Sequence, residues 1–137
     1  MSDSYVIDGV HEVDIQAASI CDPNTSTYGP GEWDKPCTAL TRALTFTAKS
    51  WTDRNEHPQV SFSPDVRFVP GKVNTITLKD KLSAAALATS SIRWCPSGST
   101  SCLNEATTDA SLATQLNTNG TLSRRIKHFS GYTVLAD

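Results

Sequence analysis

The chain has 137 residues, twelve basic and fourteen acidic side chains, and a net charge of −2 with its three histidines neutral. That length suits a single domain, 1–137, able to bury its own core, and the scattered charges leave no footprint for nucleic acid or an anionic membrane surface; Arg124-Arg125-Ile126-Lys127 is the only basic cluster. No run approaches the ~20 apolar residues of a membrane-spanning helix, and Met1-Ser2-Asp3-Ser4 lacks the charged and apolar regions of a signal peptide, so the domain reads as a soluble piece excised from a longer protein.

Tyr5-Val6-Ile7, a turn at Asp8-Gly9 and the alternating Val13, Ile15 and Ala17 predict one or two strands with a polar outer face. His11 lies between them and is expected to face solvent. From Asp22 to Pro36 the composition turns to Pro, Gly and small polar residues, which is loop chemistry, and the loop is long enough to carry function. Its Tyr28 and Trp33 either contact a ligand or partner, or fold back as a lid over the core. From Ala43 to Trp51, Leu44, Phe46 and Ala48 alternate with polar residues, a half-buried strand signal. The chain then turns over Asp53 to Pro58, with an exposed His57, into a partner strand Gln59 to Phe62 that ends near Pro64.

Val66 to Val69 predicts a short strand stopped by Pro70-Gly71, and Val73 to Leu78 another rich in β-branched residues. Lys79-Asp80-Lys81 is a solvated charge run, and Leu82 to Ala88 is an irregular connection or a short helix. Ser91 to Cys95 puts Ile92 and Trp94 on one face before a tip at Pro96 to Thr100, and the stretch from Leu103 to Leu116 is polar and weakly patterned. Asn119-Gly120 is the best hairpin signal. It leads into a long terminal strand from Thr121 onward. Within it Ile126, His128, Ser130, Tyr132 and Val134 share the face turned to the core, and Arg125, Lys127, Phe129, Gly131 and Thr133 share the other. Many short strands, no long helix and no repeat predict an all-β, antiparallel sandwich of Greek-key character ending in that long C-terminal strand.

The four cysteines form two sequence-local pairs. Of the three possible connectivities, Cys21–Cys37 with Cys95–Cys102 is favoured because each bond closes a short, turn-rich segment. Neither gap has zinc-knuckle spacing and the histidines lie elsewhere, so no metal is expected; no phosphate loop or other cofactor motif stands out. Structural disulfides imply an oxidising, extracytoplasmic or secreted setting, the alternative being four reduced, buried thiols in a cytosolic domain.

His128-Phe129-Ser130, followed by Gly131-Tyr132 at the end of a β-rich domain, resembles the His-Phe-Ser self-cleavage motif. That motif is shared by domains of the ZU-five type (zonula occludens and unc-five homology), by the related function-to-find domains, and by the autoproteolytic domain of a nuclear-pore protein. The wider stretch Arg125 to Val134 is most similar to the last strand of ZU-five-like domains in secreted bacterial proteins, with lesser support from Val66 to Gly71 and Ser91 to Cys95. The resemblance implies a β-sandwich and a single-turnover, intramolecular autoprotease. The Ser130 hydroxyl attacks the Phe129 carbonyl, the acyl group shifts from nitrogen to oxygen, and water hydrolyses the ester. His128 is then the base or the group that protonates the scissile amide, Phe129 a clamp, and Gly131 a point of close backbone approach.

Backbone strain of about 1–3 kcal/mol supplies at most about a hundredfold at ~1.4 kcal/mol per tenfold. A positioned base adds roughly 10²–10⁴ and an oxyanion donor ~10²–10³, so the chemistry needs helpers. The auxiliary polar residues of the function-to-find group have no match by position here. His57, Asp65, Glu105 and Asp109 are the candidates to support His128, and the oxyanion donors are unassigned. After cleavage the fragment from Ser130 onward would stay paired as a strand, making the domain's own C-terminal strand or downstream segment its partner. The alternative is a non-catalytic, disulfide-stapled interaction or adhesion module with a protein partner met through Tyr28 and Trp33.

Overall fold

In a computed structural model, which describes residues 2–7, 9, 11–42, 44–54, 56–80, 82–96 and 101–136, the chain is an all-β antiparallel sandwich. One sheet has five strands in the order β1 (Ser2–Ile7), β2 (His11–Gln16), β5 (Asn74–Lys79), β8 (Thr121–Ile126), β7 (Gln115–Leu116). The other has four, β3 (Thr47–Thr52), β4 (Pro58–Ser63), β9 (Gly131–Ala136), β6 (Ser90–Cys95). Period-two burial explains the pairing of faces: Val13 and Ile15 of β2, Ile76 and Leu78 of β5, and Leu122 and Ile126 of β8 point inward against Val60 and Phe62 of β4 and Ile92 and Trp94 of β6.

Most local expectations hold, with shifted edges. The β1–β2 and β3–β4 hairpins form, although Asp8, Ala43 and Asn55 lie outside the described residues. Leu44 and Phe46 pack on the core, yet the hydrogen-bonded strand begins only at Thr47. The alanine-rich segment is a short helix, α1 (Ala84–Ala88), capped by Ser83, whose hydroxyl accepts from the Ala86 N–H. The hairpin at Asn119-Gly120 joins β7 to β8, with Gly120 at a φ of 81° that suits glycine. Between β6 and β7, Glu105–Thr107 and Ala110–Leu112 wind into two 3₁₀ turns capped by Asn104 and Asp109. Lys81 and the disulfide tip, residues 97–100, lie outside the described residues.

Three expectations change. His11 does not face solvent: it is in phase with Val13 and Ile15, is buried, and its Nδ1 accepts from the Lys79 N–H at 3.2 Å. His57 is half-buried in the β3–β4 turn rather than exposed, its N–H held by Asp53 Oδ1. The long terminal strand is two strands in different sheets. β8 ends at Ile126, β9 begins at Gly131, and residues 127–130 cross the sandwich. There the chain borrows new partners, the Phe68 N–H donating to Lys127 O (2.9 Å) and the Phe129 N–H to Val66 O (2.8 Å), with a single bridge between Arg67 and His128. The predicted strand Val66 to Val69 is accordingly a bridge-forming segment rather than a sheet member. The break has a packing reason. A continuous strand would turn Phe129 away from His128 and out of the core, whereas the crossing buries His128, Phe129 and Ser130 together.

Candidate functional site

Phe129 is fully buried among aromatic rings, stacked on Phe62 (centroids 4.6 Å) and met by Phe68 and Phe46 at 5.1 and 5.2 Å. With its N–H fixed on Val66 O, and the Ser130 carbonyl accepting from the Phe62 N–H at 2.8 Å, the 129–130 peptide is held on both sides. Gly131 follows where a Cβ would stand 3.0 Å from the Cys95 carbonyl oxygen, so a side chain there would press on the close β9–β6 approach.

His128 is wholly buried in a ring cage. Trp33 stacks on it at 3.8 Å between centroids, Trp94 meets it edge-on at 4.7 Å, and Tyr28 and Tyr132 close the sides at 5.9 Å. Its Nε2 lies 2.9 Å from Glu105 Oε2, while Glu105 Oε1 accepts from Arg124 Nη2 at 2.7 Å. The 3₁₀ turn places Glu105, and the inward phase of β8, Leu122-Arg124-Ile126, places Arg124. Burial lowers the pKa of His128 against the opposing pull of Glu105, so the ring is neutral at neutral pH. Burial also pushes the Glu105 carboxyl up, but its bonds to His128 and the Arg124 guanidinium outweigh this and hold it below its ordinary value. A carboxylate can only accept, so Nε2 carries the proton and Nδ1 the lone pair. Tyr132 Oη lies 3.4 Å from that Nδ1 and donates to the His128 carbonyl at 2.5 Å.

The loop of residues 22–36 is a lid. Its ends are joined by the Cys21–Cys37 disulfide (S–S 2.01 Å), and the buried Arg67 donates to the carbonyls of Thr27 (2.6 Å), Lys35 (2.7 Å) and Pro36 (3.3 Å). Lys127 bridges Asp34 of the lid and Asp109 beside the 3₁₀ turns, at 2.6 and 2.5 Å. The Lys127 hydrogen bond, with a further one from Ser111, pulls the Asp109 carboxyl down to about 2. Thus held, the lid presents the Tyr28 hydroxyl to the Phe129 carbonyl oxygen, donating at 2.6 Å. Burial raises the Tyr28 pKa, so the phenol keeps its proton and remains a donor. The second disulfide, Cys95–Cys102 (S–S 2.09 Å), ties β6 to the chain leading into Glu105, and no described cysteine is free.

No protein family, curated protein or solved structure matches the chain. The site therefore stands on its geometry.

Of the four candidates to support His128, Glu105 is in direct contact, Asp109 holds Lys127, Asp65 lies at the edge of the site, and His57 sits in the β3–β4 turn. His128 and Ser130 are buried in one crossing, but the structure records no hydrogen bond between them: His128 Nε2 is bonded to Glu105. Sequence reasoning missed Arg124, Arg67 and the carbonyl contact of Tyr28. For Arg124, a charged residue in phase with the buried Leu122 and Ile126 was the available signal; Arg67, out of phase with Val66 and Phe68, offered none. Among the described residues no group of His, Cys, Asp and Glu could hold a metal ion, and no helix is long and apolar enough to cross a membrane.

The pKa directions set a pH dependence of stability. An unfolded imidazole protonates near pH ~6.5, whereas folded His128 resists protonation until lower pH. Between those values the unfolded chain binds more protons, so stability falls as pH drops below about 6.5. Glu105 and Asp109, both held low, add a second loss below the ordinary carboxylate range, the Asp109 part continuing to about 2. The melting temperature is expected to decline between pH 7 and 5, and His128→Asn to flatten that slope; an unchanged slope in the variant would assign it to other groups.

Proposed function

We propose that the domain is a self-cleaving β-sandwich that cuts its own Phe129–Ser130 bond. The observation that carries this reading is the Tyr28 hydroxyl, which donates at 2.6 Å to the carbonyl oxygen that attack by Ser130 would turn into an oxyanion. In the reaction the Ser130 Oγ attacks the Phe129 carbonyl carbon. Its proton passes to His128 Nδ1, and Tyr28 stabilises the developing negative charge. His128, oriented by Glu105, then delivers the proton to the departing amide nitrogen as the C–N bond breaks, which leaves an ester and a free amine at Ser130. Water hydrolyses the ester. Adjacent covalent placement supplies the proximity that separate reactants gain by binding, and the aromatic packing of Phe129 holds the acyl group in place.

The product would stay assembled. The fragment beginning at Ser130 is β9, paired with β4 on one side and β6 on the other. Controlled separation of that strand, with whatever follows it, is the function this chemistry supports, and the two disulfides favour an oxidising, extracytoplasmic setting. The architecture agrees with the ZU-five-like resemblance of the terminal motif. The alternative module would meet a partner through Tyr28 and Trp33; Trp33 instead stacks on His128 and Tyr28 meets it edge-on, although part of Tyr28 stays exposed.

The deciding experiment is the intact mass of freshly purified protein under denaturing conditions, with and without reductant. A species ending at Phe129 with a peptide beginning at Ser130 is the expected result, and a single uncut mass after prolonged incubation would defeat the proposal. Tyr28→Phe removes one oxyanion donor while keeping the ring, so the cleavage rate followed by the same measurement should fall about 10²–10³-fold with little change in melting temperature.

A further inference from the structure

Hydrolysis of the ester requires a water molecule at the Phe129 carbonyl carbon, and most approaches are shut. Tyr28 covers the carbonyl oxygen, Trp33 and Trp94 enclose His128, and the Phe129 ring fills the core. One side is open. A cavity of about 480 Å³, lined by Ser130 and Gly131 together with Trp51, Gln59, Ser61 and Asp65, brings solvent to the crossing. It is far larger than the ~30 Å³ a water molecule occupies, and its lining mixes polar side chains with the exposed Trp51.

We propose that this cavity delivers the hydrolytic water and that Asp65 is its general base, a role confined to the second step of the self-cleavage proposed above, on which the inference rests. Asp65 immediately precedes Val66, whose carbonyl accepts the Phe129 N–H at 2.8 Å, so its backbone is tied to the scissile residue. It lines the same cavity as Ser130 and Gly131, which sets its carboxylate on the solvent side of the crossing. Burial raises its pKa while His128 opposes the shift, which brings a surface carboxylate nearer the range useful to a base. The first step does not use it, because the Ser130 proton goes to His128. In the second, the Asp65 carboxylate takes a proton from water as the water oxygen bonds to the Phe129 carbonyl carbon. The bond from that carbon to Ser130 Oγ then breaks, and Asp65 returns the proton to Oγ. The products are the Phe129 carboxyl group, which loses its proton to solvent, and a free Ser130 hydroxyl and amine.

The test separates the two steps. Wild type, Asp65→Asn and Asp65→Glu are incubated at neutral pH, with and without hydroxylamine, a small nucleophile that cleaves esters without a protein base. Each sample is then denatured and weighed. Asp65→Asn is expected to slow the appearance of fragments about 10²-fold and to accumulate a full-length species that hydroxylamine splits into a Phe129 hydroxamate and the peptide beginning at Ser130. Asp65→Glu should recover part of the spontaneous rate. Cleavage of Asp65→Asn at the wild-type rate would overturn the inference, as would slow cleavage with no hydroxylamine-sensitive species, which would put Asp65 before the ester. If wild type gives neither fragments nor a hydroxylamine-sensitive bond, the self-cleavage proposal falls, and this inference with it.

Discussion

Ser130→Ala is expected to give one uncut chain under denaturing conditions, with a melting temperature close to that of the unreacted wild type. Removing a nucleophile that no neighbour can replace lowers such reactions by roughly a million-fold where it has been measured in hydrolases, which on a laboratory timescale is complete loss. The structural cost is small for a reason visible in the bonding. It is the Ser130 backbone carbonyl, accepting from the Phe62 N–H at 2.8 Å, that ties the residue in place, and this bond survives the loss of the hydroxyl. Ser130→Cys gives the complementary result: a thiolate attacks the same carbonyl, so cleavage should persist through a thioester. A nick that survived in the alanine variant would mean an external protease, whose cut sites need not fall at Phe129.

The period-two signal made the sandwich legible. The alternation in β2, β4, β5 and β8 is the burial pattern of a sheet with one dry face, and the turn chemistry at Asn119-Gly120 sets a hairpin directly. The disulfide pairing was legible for a similar local reason, since each bond closes a short segment. The terminal strand was not. Alternation continues formally through Arg125 to Leu135, but the chain changes sheets within it, and nothing in a period-two pattern marks a crossing whose partners, Val66 and Phe68, lie some sixty residues away. His11 was misplaced for another reason: set between the two strands, it in fact opens β2 in phase with Val13 and Ile15 and is drawn inward with them, where the Lys79 N–H meets its imidazole.

The candidate site was half legible. His128, Phe129 and Ser130 stand together in the chain, whereas Tyr28 is 101 residues from the carbonyl it bonds and Glu105 is 23 residues from His128. Such contacts are set by how the lid and the 3₁₀ turn pack, and a loop's composition says only that it is a loop. Arg67 shows the difficulty well. Inside an apolar run it reads as a surface charge on a short strand, yet its guanidinium is the buried clasp that shapes the lid.

Glu105 tests whether that packing does chemistry. Glu105→Ala removes the acidic partner that Arg124 has among the described residues; the guanidinium is fully buried and otherwise meets the carbonyls of Arg125 and Ile92 and the Tyr132 ring at 5.2 Å. An uncompensated buried charge costs about 3–5 kcal/mol, so this variant should melt far below wild type, and its lost cleavage would say little. Glu105→Gln is the informative change. The amide keeps an acceptor for one partner and nearly the same volume, which leaves a smaller stability loss, but it no longer holds the carboxylate that fixes Nε2–H and leaves Nδ1 basic. For an orienting carboxylate beside a catalytic histidine such a change costs on the order of 10⁴ in rate, and a fall of that size in a folded Glu105→Gln protein is expected. Cleavage at the wild-type rate would show that Glu105 serves only as Arg124's counter-ion. Glu105→Asp discriminates further: it retains the charge for Arg124 but shortens the reach to His128, so stability should recover more fully than rate.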